Sequence, residues 1–237
     1  MNDVDLLCLD AGNTVIFLDH ARLAAVLRDA TGLDVDARTL IAGEGEAKRR
    51  AETGELFDAG TWAFRGRPGA PSWGKLIATI VTAAGLAPEK VPALLDAAWP
   101  LHEAKNFWCK VPEGLIAALD AIRARGKKTA IISNSEGMLD RLFRDLGIRE
   151  SFDLIVDSGV VGIEKPDPRI FRIALDHFGV APERAFHLGD VFATDVLGAR
   201  AAGIRCALID PHAHYAGKHA DVPRVSSVAD FARSLVD

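Results

Sequence analysis

The segment Leu6-Leu-Cys-Leu-Asp10-Ala-Gly-Asn-Thr14 joins an apolar run to a polar turn. Four apolar residues are too few for a helix, and such a run is typical of a buried strand. Similar runs recur along the chain. We predict strands at residues 6–9, 129–132, 153–156, 185–188 and 205–209.

The segments between these strands have helical periodicity. Leu115, Leu119 and Ile122 recur at the spacing that places side chains on one helix face, and residues 139–146 and 170–178 repeat the pattern. Alternating strands and helices are typical of a parallel sheet with helices on both faces. The sequence therefore predicts an α/β protein with a three-layer, Rossmann-like parallel sheet core.

One long stretch interrupts this alternation. Residues 15–111 contain helical apolar spacing but no convincing strand after Phe17. We predict a core domain made of residues 1–14 and 112–237, with residues 15–111 inserted as a mostly helical cap domain. Within it, residues 60–74 are predicted to form a loop. Its tryptophan and arginine side chains are candidates for substrate contact or for packing within the cap: Trp62, Arg65, Arg67 and Trp73.

Polar residues follow the apolar runs at four places: Asp10, Ser133 with Asn134, Lys165, and Asp190 with Asp195. Ligands bind to open parallel sheets at the carboxyl ends of the strands, so we expect these side chains to meet at one edge. Together they supply a carboxylate nucleophile, hydrogen-bond donors, a cation and acids that can bind magnesium. Phosphoryl transfer requires these groups.

Each residue also has a simpler interpretation. Asp10 and Asp195 could hydrogen-bond the first turn of a helix, Ser133-Asn134 could be a plain turn, and Lys165 could be solvated. Lys165 precedes Pro166, which restricts its backbone to extended conformations. The fixed order of the four patches favours the chemical interpretation.

The four patches resemble those of the haloacid dehalogenase superfamily, most nearly the branch with a helical cap after the first strand. The segments that carry the resemblance start at Leu6, Thr129, Gly162 and His187, and the last reads His187-Leu-Gly-Asp190-Val-Phe-Ala-Thr-Asp195. The resemblance implies a magnesium-dependent phosphohydrolase that acts on a small phosphorylated metabolite beneath a mobile cap.

The resemblance also implies a role for each matching residue. Asp10 would form an aspartyl-phosphate, and the phosphoryl group would be bound by Ser133, Asn134 and Lys165. Magnesium would be held by Asp10, the backbone carbonyl of Gly12 and Asp190, with Asp195 binding through a water or positioning a partner. True haloacid dehalogenases work without a metal and carry other residues at the positions of Asp190 and Asp195.

Gly12 departs from the family pattern, in which phosphatases have an aspartate that protonates the leaving group. General acid–base catalysis contributes about 10²–10⁴-fold. The chain could act on good leaving groups, use another residue such as Asp19 or a cap side chain, or bind a phosphoryl ligand with little turnover. Dehalogenation, or carbon–phosphorus cleavage through a Schiff base on Lys48, is a further alternative.

Composition restricts the partners. The 237 residues are 49% hydrophobic, and 33 acidic against 28 basic residues give a formal charge of −5. This balance argues against nucleic acid or an anionic membrane as partner. Three cysteines without a CxxC pattern favour a reducing cytoplasm. We expect a monomer or homodimer, and a solvated loop rather than a metal site at His212, His214 and His219.

Overall fold

The computed structural model describes residues 3–58, 62 and 66–234. Its strands are β1 (Leu6–Leu9), β2 (Phe17–Leu18), β3 (Trp108–Lys110), β4 (Lys128–Ser133), β5 (Leu154–Asp157), β6 (Ala185–Gly189), β7 (Arg205–Ile209) and β8 (Arg224–Val225). Six of them form one sheet in the order β5-β4-β1-β6-β7-β8, and every pairing is parallel. The five predicted core strands are confirmed, and the short edge strand β8 was not predicted.

The helices are α1 (His20–Thr31), α2 (Ala37–Thr53), α3 (Ala70–Ala83), α4 (Val91–Ala104), α5 (Leu115–Arg123), α6 (Leu139–Asp145), α7 (Ser158–Val161), α8 (Pro168–Phe178), α9 (Leu197–Ala201) and α10 (Val228–Ser234). A π-helical turn at Phe192–Val196 precedes α9. None of the helices in the described ranges is both long and apolar enough to cross a bilayer.

Two hydrophobic clusters cover the two faces of the sheet. Side chains alternate between faces along a strand, so Leu7 and Leu9 pack with α5, α6 and α10, whereas Leu6 and Cys8 pack with α8 and α9. Both faces of β1 are therefore buried, as its continuous apolar run predicts. The three-layer α/β core is confirmed.

Helices α1 to α4 gather around a separate hydrophobic cluster. The prediction of a loop over residues 60–74 is wrong from residue 70 onward, because α3 begins at Ala70. Pro71 lies in the first turn of this helix, where its missing N–H costs little because it would have no partner within the helix. Trp73 is thus helical, and its ring centroid lies 5.1 Å from that of Trp99. The domain boundaries at residues 14/15 and 111/112 stay a prediction.

A short antiparallel pair brings together the two ends of the segment that carries α1 to α4. Strand β2 pairs with β3, which brings Phe17 opposite Lys110 and Leu18 opposite Trp108. Strands of two or three residues give no periodic signal, so the sequence did not predict them. This pairing places Trp108 next to the turn that follows β1, where it affects the site described below.

Candidate active site

Adjacent strands bring the first, second and fourth polar patches together. Strands β4 and β6 flank β1, so Ser133, Asp10 and Asp190 project from neighbouring carboxyl ends. The backbone N–H of Asp10 donates to the carbonyl of Leu188 at 2.8 Å, which extends the pairing of β1 and β6 up to the site. The expected gathering at one sheet edge is confirmed for these residues.

Lys165 is the third patch, and it reaches the same place from the loop before α8. Its Nζ lies 2.6 Å from Asp10 Oδ1 and 2.6 Å from Asp195 Oδ1, with the side chain only 2% exposed. The interpretation of Lys165 as a solvated lysine is therefore wrong. Burial alone would lower its pKa, but the two carboxylates outweigh burial and raise the pKa, so the ammonium stays charged.

The side chain of Asn134 holds this lysine in position. Its Oδ1 accepts a 2.7 Å hydrogen bond from the backbone N–H of Lys165, and its Nδ2 donates to the Lys165 carbonyl at 3.0 Å. Both ends of the amide are thus engaged. If Asn134 contacts phosphate as predicted, its backbone N–H would make the contact, beside the buried hydroxyl of Ser133.

Asp195 is buried and fully hydrogen-bonded. Its Oδ1 contacts Lys165 and His187 Nε2, the latter at 3.0 Å, and its Oδ2 accepts from the Val191 N–H at 2.9 Å. Burial would raise the pKa of Asp195, but Lys165 and His187 outweigh it and hold the pKa below its ordinary value. This geometry suits an acid that positions Lys165 more than one that binds a metal directly.

The charge around Asp10 fits a divalent cation. One carboxylate oxygen from each of Asp10, Asp190 and Asp195 lies within 4.8 Å of the others. Burial raises the pKa of Asp10 to about 7, and the nearby carboxylates of Asp195 and Asp190 act in the same direction. Lys165 opposes this increase only in part. Burial also raises the pKa of Asp190. Oxygen ligands with excess negative charge are what magnesium prefers.

Lys48 of α2 enters the same site from the cap domain. Its Nζ lies 2.9 Å from Asp190 Oδ2, and its side chain is 7% exposed. This ion pair puts a second ammonium group, besides that of Lys165, against the acids of the site. Burial lowers the pKa of Lys48, but Asp190 and Glu44 more than offset this and leave the pKa raised.

Glu44 lies one helical turn before Lys48 and also faces the core. Its Oε1 accepts from Asn13 Nδ2 at 3.1 Å, and its Oε2 lies 2.8 Å from His20 Nε2. The sequence analysis did not identify Glu44. A signal was present, because helix α2 contains Gly45 in its interior, and a Cβ there would lie 2.8 Å from His214 Cδ2. Glycine inside a helix costs about 1 kcal/mol, so its presence indicates close approach.

The space beside Gly12 is partly filled by Trp108. A Cβ built on Gly12 would lie 3.3 Å from Trp108 Nε1 and 4.0 Å from Asp10 Oδ2. The indole from β3 thus lies against the position from which the family aspartate would project. Asp19, which was considered as a substitute acid, pairs instead with Lys110 Nζ at 2.9 Å.

The remaining candidate residues have varied surroundings. Trp73 lines the cavity above the site, whereas Trp62 lies in the cap cluster and donates to Asp96 Oδ1 at 3.1 Å. Arg67 is exposed and pairs with Glu103 at 2.6 Å, outside the lining described for the cavity. Arg65 lies outside the described residues.

The histidine loop is only partly solvated. His212 is exposed, as predicted, but His214 packs against α2 at Gly45. His219 Nε2 lies 3.0 Å from Glu52 Oε2. The prediction of a solvated loop is wrong for these two, because the cap domain covers them.

The site opens into a cavity of about 240 Å³ between the core and the cap domain. Asp10, Lys165 and Asp190 lie on its polar floor, and apolar side chains of both domains form much of its wall. A few polar groups beneath a mostly apolar wall are typical of sites that bind small ligands.

Comparison with known proteins gives the family. The sequence profile of the haloacid dehalogenase-like hydrolases matches residues 4–203. The Bos taurus haloacid dehalogenase-like hydrolase domain-containing protein 3 is 31% identical over 209 residues, which cover 86% of this chain and 81% of that protein. A phosphoserine phosphatase of Thermus thermophilus is 41% identical over 128 residues, 54% of this chain and 50% of that enzyme.

Solved structures agree at the level of the fold. A magnesium-bound HAD hydrolase of Bacillus subtilis superposes with a TM-score of 0.68 at 15% identity, over 98% of each chain. The profile match covers well over half of the sequence and includes all four polar patches. This chain is therefore a hydrolase that belongs to the haloacid dehalogenase-like family.

Proposed function

We propose that the chain is a magnesium-dependent phosphohydrolase that acts on a small phosphorylated metabolite through an aspartyl-phosphate at Asp10. The observation that carries the proposal is the contact of Lys165 Nζ with both Asp10 and Asp195 at the carboxyl edge of the sheet. A buried ammonium beside a buried carboxylate offsets the repulsion between that carboxylate and an incoming phosphate. The phosphatase-named relative from Thermus thermophilus supports the same chemistry.

The reaction has two displacements at phosphorus. In the first, an Asp10 oxygen forms a bond to phosphorus while the bond to the leaving group breaks, and the leaving group departs with the electron pair. In the second, water attacks phosphorus, the Asp10–phosphorus bond breaks, and phosphate and the free carboxylate result. Ser133 and the Asn134 N–H would donate to phosphoryl oxygens during both steps.

The metal would be held by Asp10, Asp190 and the backbone carbonyl of Gly12, with Asp195 fixing Lys165 behind them. A bound magnesium ion supplies positive charge to the phosphoryl oxygens. The protein side chains keep separate tasks: Lys165 neutralises the nucleophile, and Asn134 fixes the backbone of Lys165 through two hydrogen bonds.

Carbon–phosphorus cleavage is the second candidate, because the structure brings Lys48 into the site. A Schiff base requires a neutral amine, however, and the Nζ of Lys48 lies 2.9 Å from the carboxylate of Asp190, a contact that favours the charged ammonium. The charged ammonium instead favours a role in binding. Borohydride reduction in the presence of an aldehyde-bearing phosphonate would attach the substrate covalently to Lys48 if this alternative held.

Metal removal is expected to abolish activity. We expect EDTA to lower the rate with acetyl phosphate by at least about 10²-fold, because a bound metal stabilises the transition-state charge by several kcal/mol. Added magnesium should restore the rate. Asp190→Asn should raise the magnesium concentration needed for half-maximal rate, whereas Asp120→Asn on the exposed face of α5 should not. A rate indifferent to EDTA, magnesium and Asp10→Asn alike would favour a phosphoryl-binding protein with little turnover.

A second prediction concerns Gly12 and Trp108. Gly12→Asp alone should change turnover little, because Trp108 restricts the new side chain. With Trp108→Ala added, we expect turnover of alkyl phosphates to rise about 10²-fold, as a general acid becomes available. Acetyl phosphate, whose leaving group needs no proton, should gain far less. A double variant no faster on alkyl phosphates than Trp108→Ala alone would show that another group already supplies the proton.

A further inference from the structure

The wall of the cavity differs in chemistry from its floor. Apolar side chains of the cap domain and the core line the space above Asp10, and they are Ile16, Ala47, Ala51, Leu56, Trp73, Leu76, Trp108, Leu139 and Leu142. A ligand held by its phosphoryl group at the floor would place the rest of its atoms against this wall. The wall therefore contacts the group that the phosphate carries.

Two leucines of this wall are placed for such contact. Leu56 and Leu76 are half-buried and pack with part of their surface against the cap cluster, and both also line the cavity. Leu76 lies on α3, one turn after Trp73, so the two side chains share a helix face. A hydrocarbon group entering the cavity would cover apolar surface that the protein itself covers only in part.

The charged lining favours an uncharged organic group. Among the lining residues that the structure describes, five are acids: Asp10, Glu44, Glu136, Asp190 and Asp195. The cations of that lining are Lys48 and Lys165, and each already contacts a carboxylate. Asp10, Asp190 and Asp195 already serve the phosphoryl group, the metal and Lys165. A second anionic group on the substrate would therefore face Glu44 and Glu136 without a free cation from the described lining.

We propose that the group carried by the phosphate is small, apolar and uncharged. This inference rests on the proposed phosphohydrolase function and adds the substrate class of the same site. The cavity of about 240 Å³ limits the size of the group. Because Gly12 supplies no proton, acyl phosphates of short aliphatic acids suit the site especially well: water and the acyl phosphate give the carboxylic acid and inorganic phosphate.

The test is a series of acyl phosphates with constant leaving-group chemistry. From acetyl to propionyl to butyryl phosphate, we expect kcat/KM to rise about fourfold for each methylene buried. Succinyl phosphate matches butyryl phosphate in length but ends in a carboxylate, and we expect its kcat/KM to be at least about tenfold lower than that of butyryl phosphate. Inhibition by propylphosphonate and by 3-phosphonopropionate should show the same order without turnover.

Variants of the wall separate its role from a general effect on folding. Leu76→Ala should lower the ratio of butyryl to acetyl kcat/KM by at least about threefold, because the longer acyl chain loses more apolar contact than the acetyl group does. Leu56→Ala should act in the same direction. Leu101→Ala removes an exposed leucine from α4 of the same domain and should leave the ratio unchanged.

The outcomes separate this inference from the proposed function. Activity with acetyl phosphate but a flat chain-length series, or a preference for succinyl over butyryl phosphate, would overturn the apolar substrate class alone. Absence of metal-dependent activity with acyl and alkyl phosphates alike would overturn the phosphohydrolase function itself, and activity with alkyl phosphates alone would overturn only the acyl phosphate class. A rising series that Leu76→Ala flattens would support both.

Discussion

Replacing Asp10 with asparagine is expected to lower kcat on acetyl phosphate by roughly 10⁴-fold or more, which is about 5.5 kcal/mol of barrier. The amide has nearly the same shape but is a far poorer nucleophile, so no aspartyl-phosphate forms. Thermal unfolding of the variant separates loss of the nucleophile from loss of folding.

The control for this variant is Asp5→Asn. Asp5 lies five residues earlier and pairs with Arg184 at the surface, so its loss should leave kcat unchanged. Acid-quenched wild type should carry a phosphoryl group on the peptide containing Asp10, detected by mass spectrometry. An Asp10→Asn variant that retained wild-type turnover would remove the nucleophile from the proposal.

Replacing Lys165 with methionine is expected to have the largest effect on stability. It would leave Asp10 and Asp195 buried without their shared ammonium, and breaking a buried ion pair costs about 3–5 kcal/mol. For a chain of this length, a loss of about 3 kcal/mol lowers Tm by roughly 6–12 °C. Thermal and urea unfolding in EDTA would measure the change, and Lys128→Met, at an exposed position of β4, is the matched control.

A double-mutant cycle tests the physical reason. If the cost comes from uncompensated charge, adding Asp10→Asn to Lys165→Met should recover part of the lost stability, with a coupling of about 1 kcal/mol or more. Strictly additive effects would indicate that Lys165 contributes through packing of its stem instead. Activity should be lost in both variants, so the stability measurement distinguishes the two roles.

Much of the core could be predicted from the sequence, because the signals that define it are local. The apolar run at Leu6–Leu9 predicted a strand buried on both faces, and the structure places its alternate residues in two different clusters. The helix α6 shows where local reasoning ends. Ser135 precedes this helix and is of a residue type that often hydrogen-bonds a first turn. Asp157, which ends β5, accepts instead from the N–H groups of Gly137 and Leu139.

The candidate site was likewise predicted only in part. The order of the four patches predicted that Asp10, Ser133, Lys165 and Asp190 would meet, and they do. The sequence named Lys48 only as a possible Schiff-base residue and did not single out Glu44, because a charged pair four residues apart on a helix is common on solvated faces. Their contacts with Asp190 and Asn13 exist only because α2 packs across the mouth of the site.

The sequence by itself determined the parallel sheet, the residues at its carboxyl edge and the missing acid at Gly12, since each is written in a short stretch of chain. Tertiary structure alone decided what surrounds them: Trp108 against Gly12, Lys48 on Asp190 and the leucine wall above Asp10. The physical reason is range. Strand and helix formation depend on neighbours a few residues apart, whereas Lys48 and Asp190 meet only after the cap domain closes a loop of well over a hundred residues onto the core.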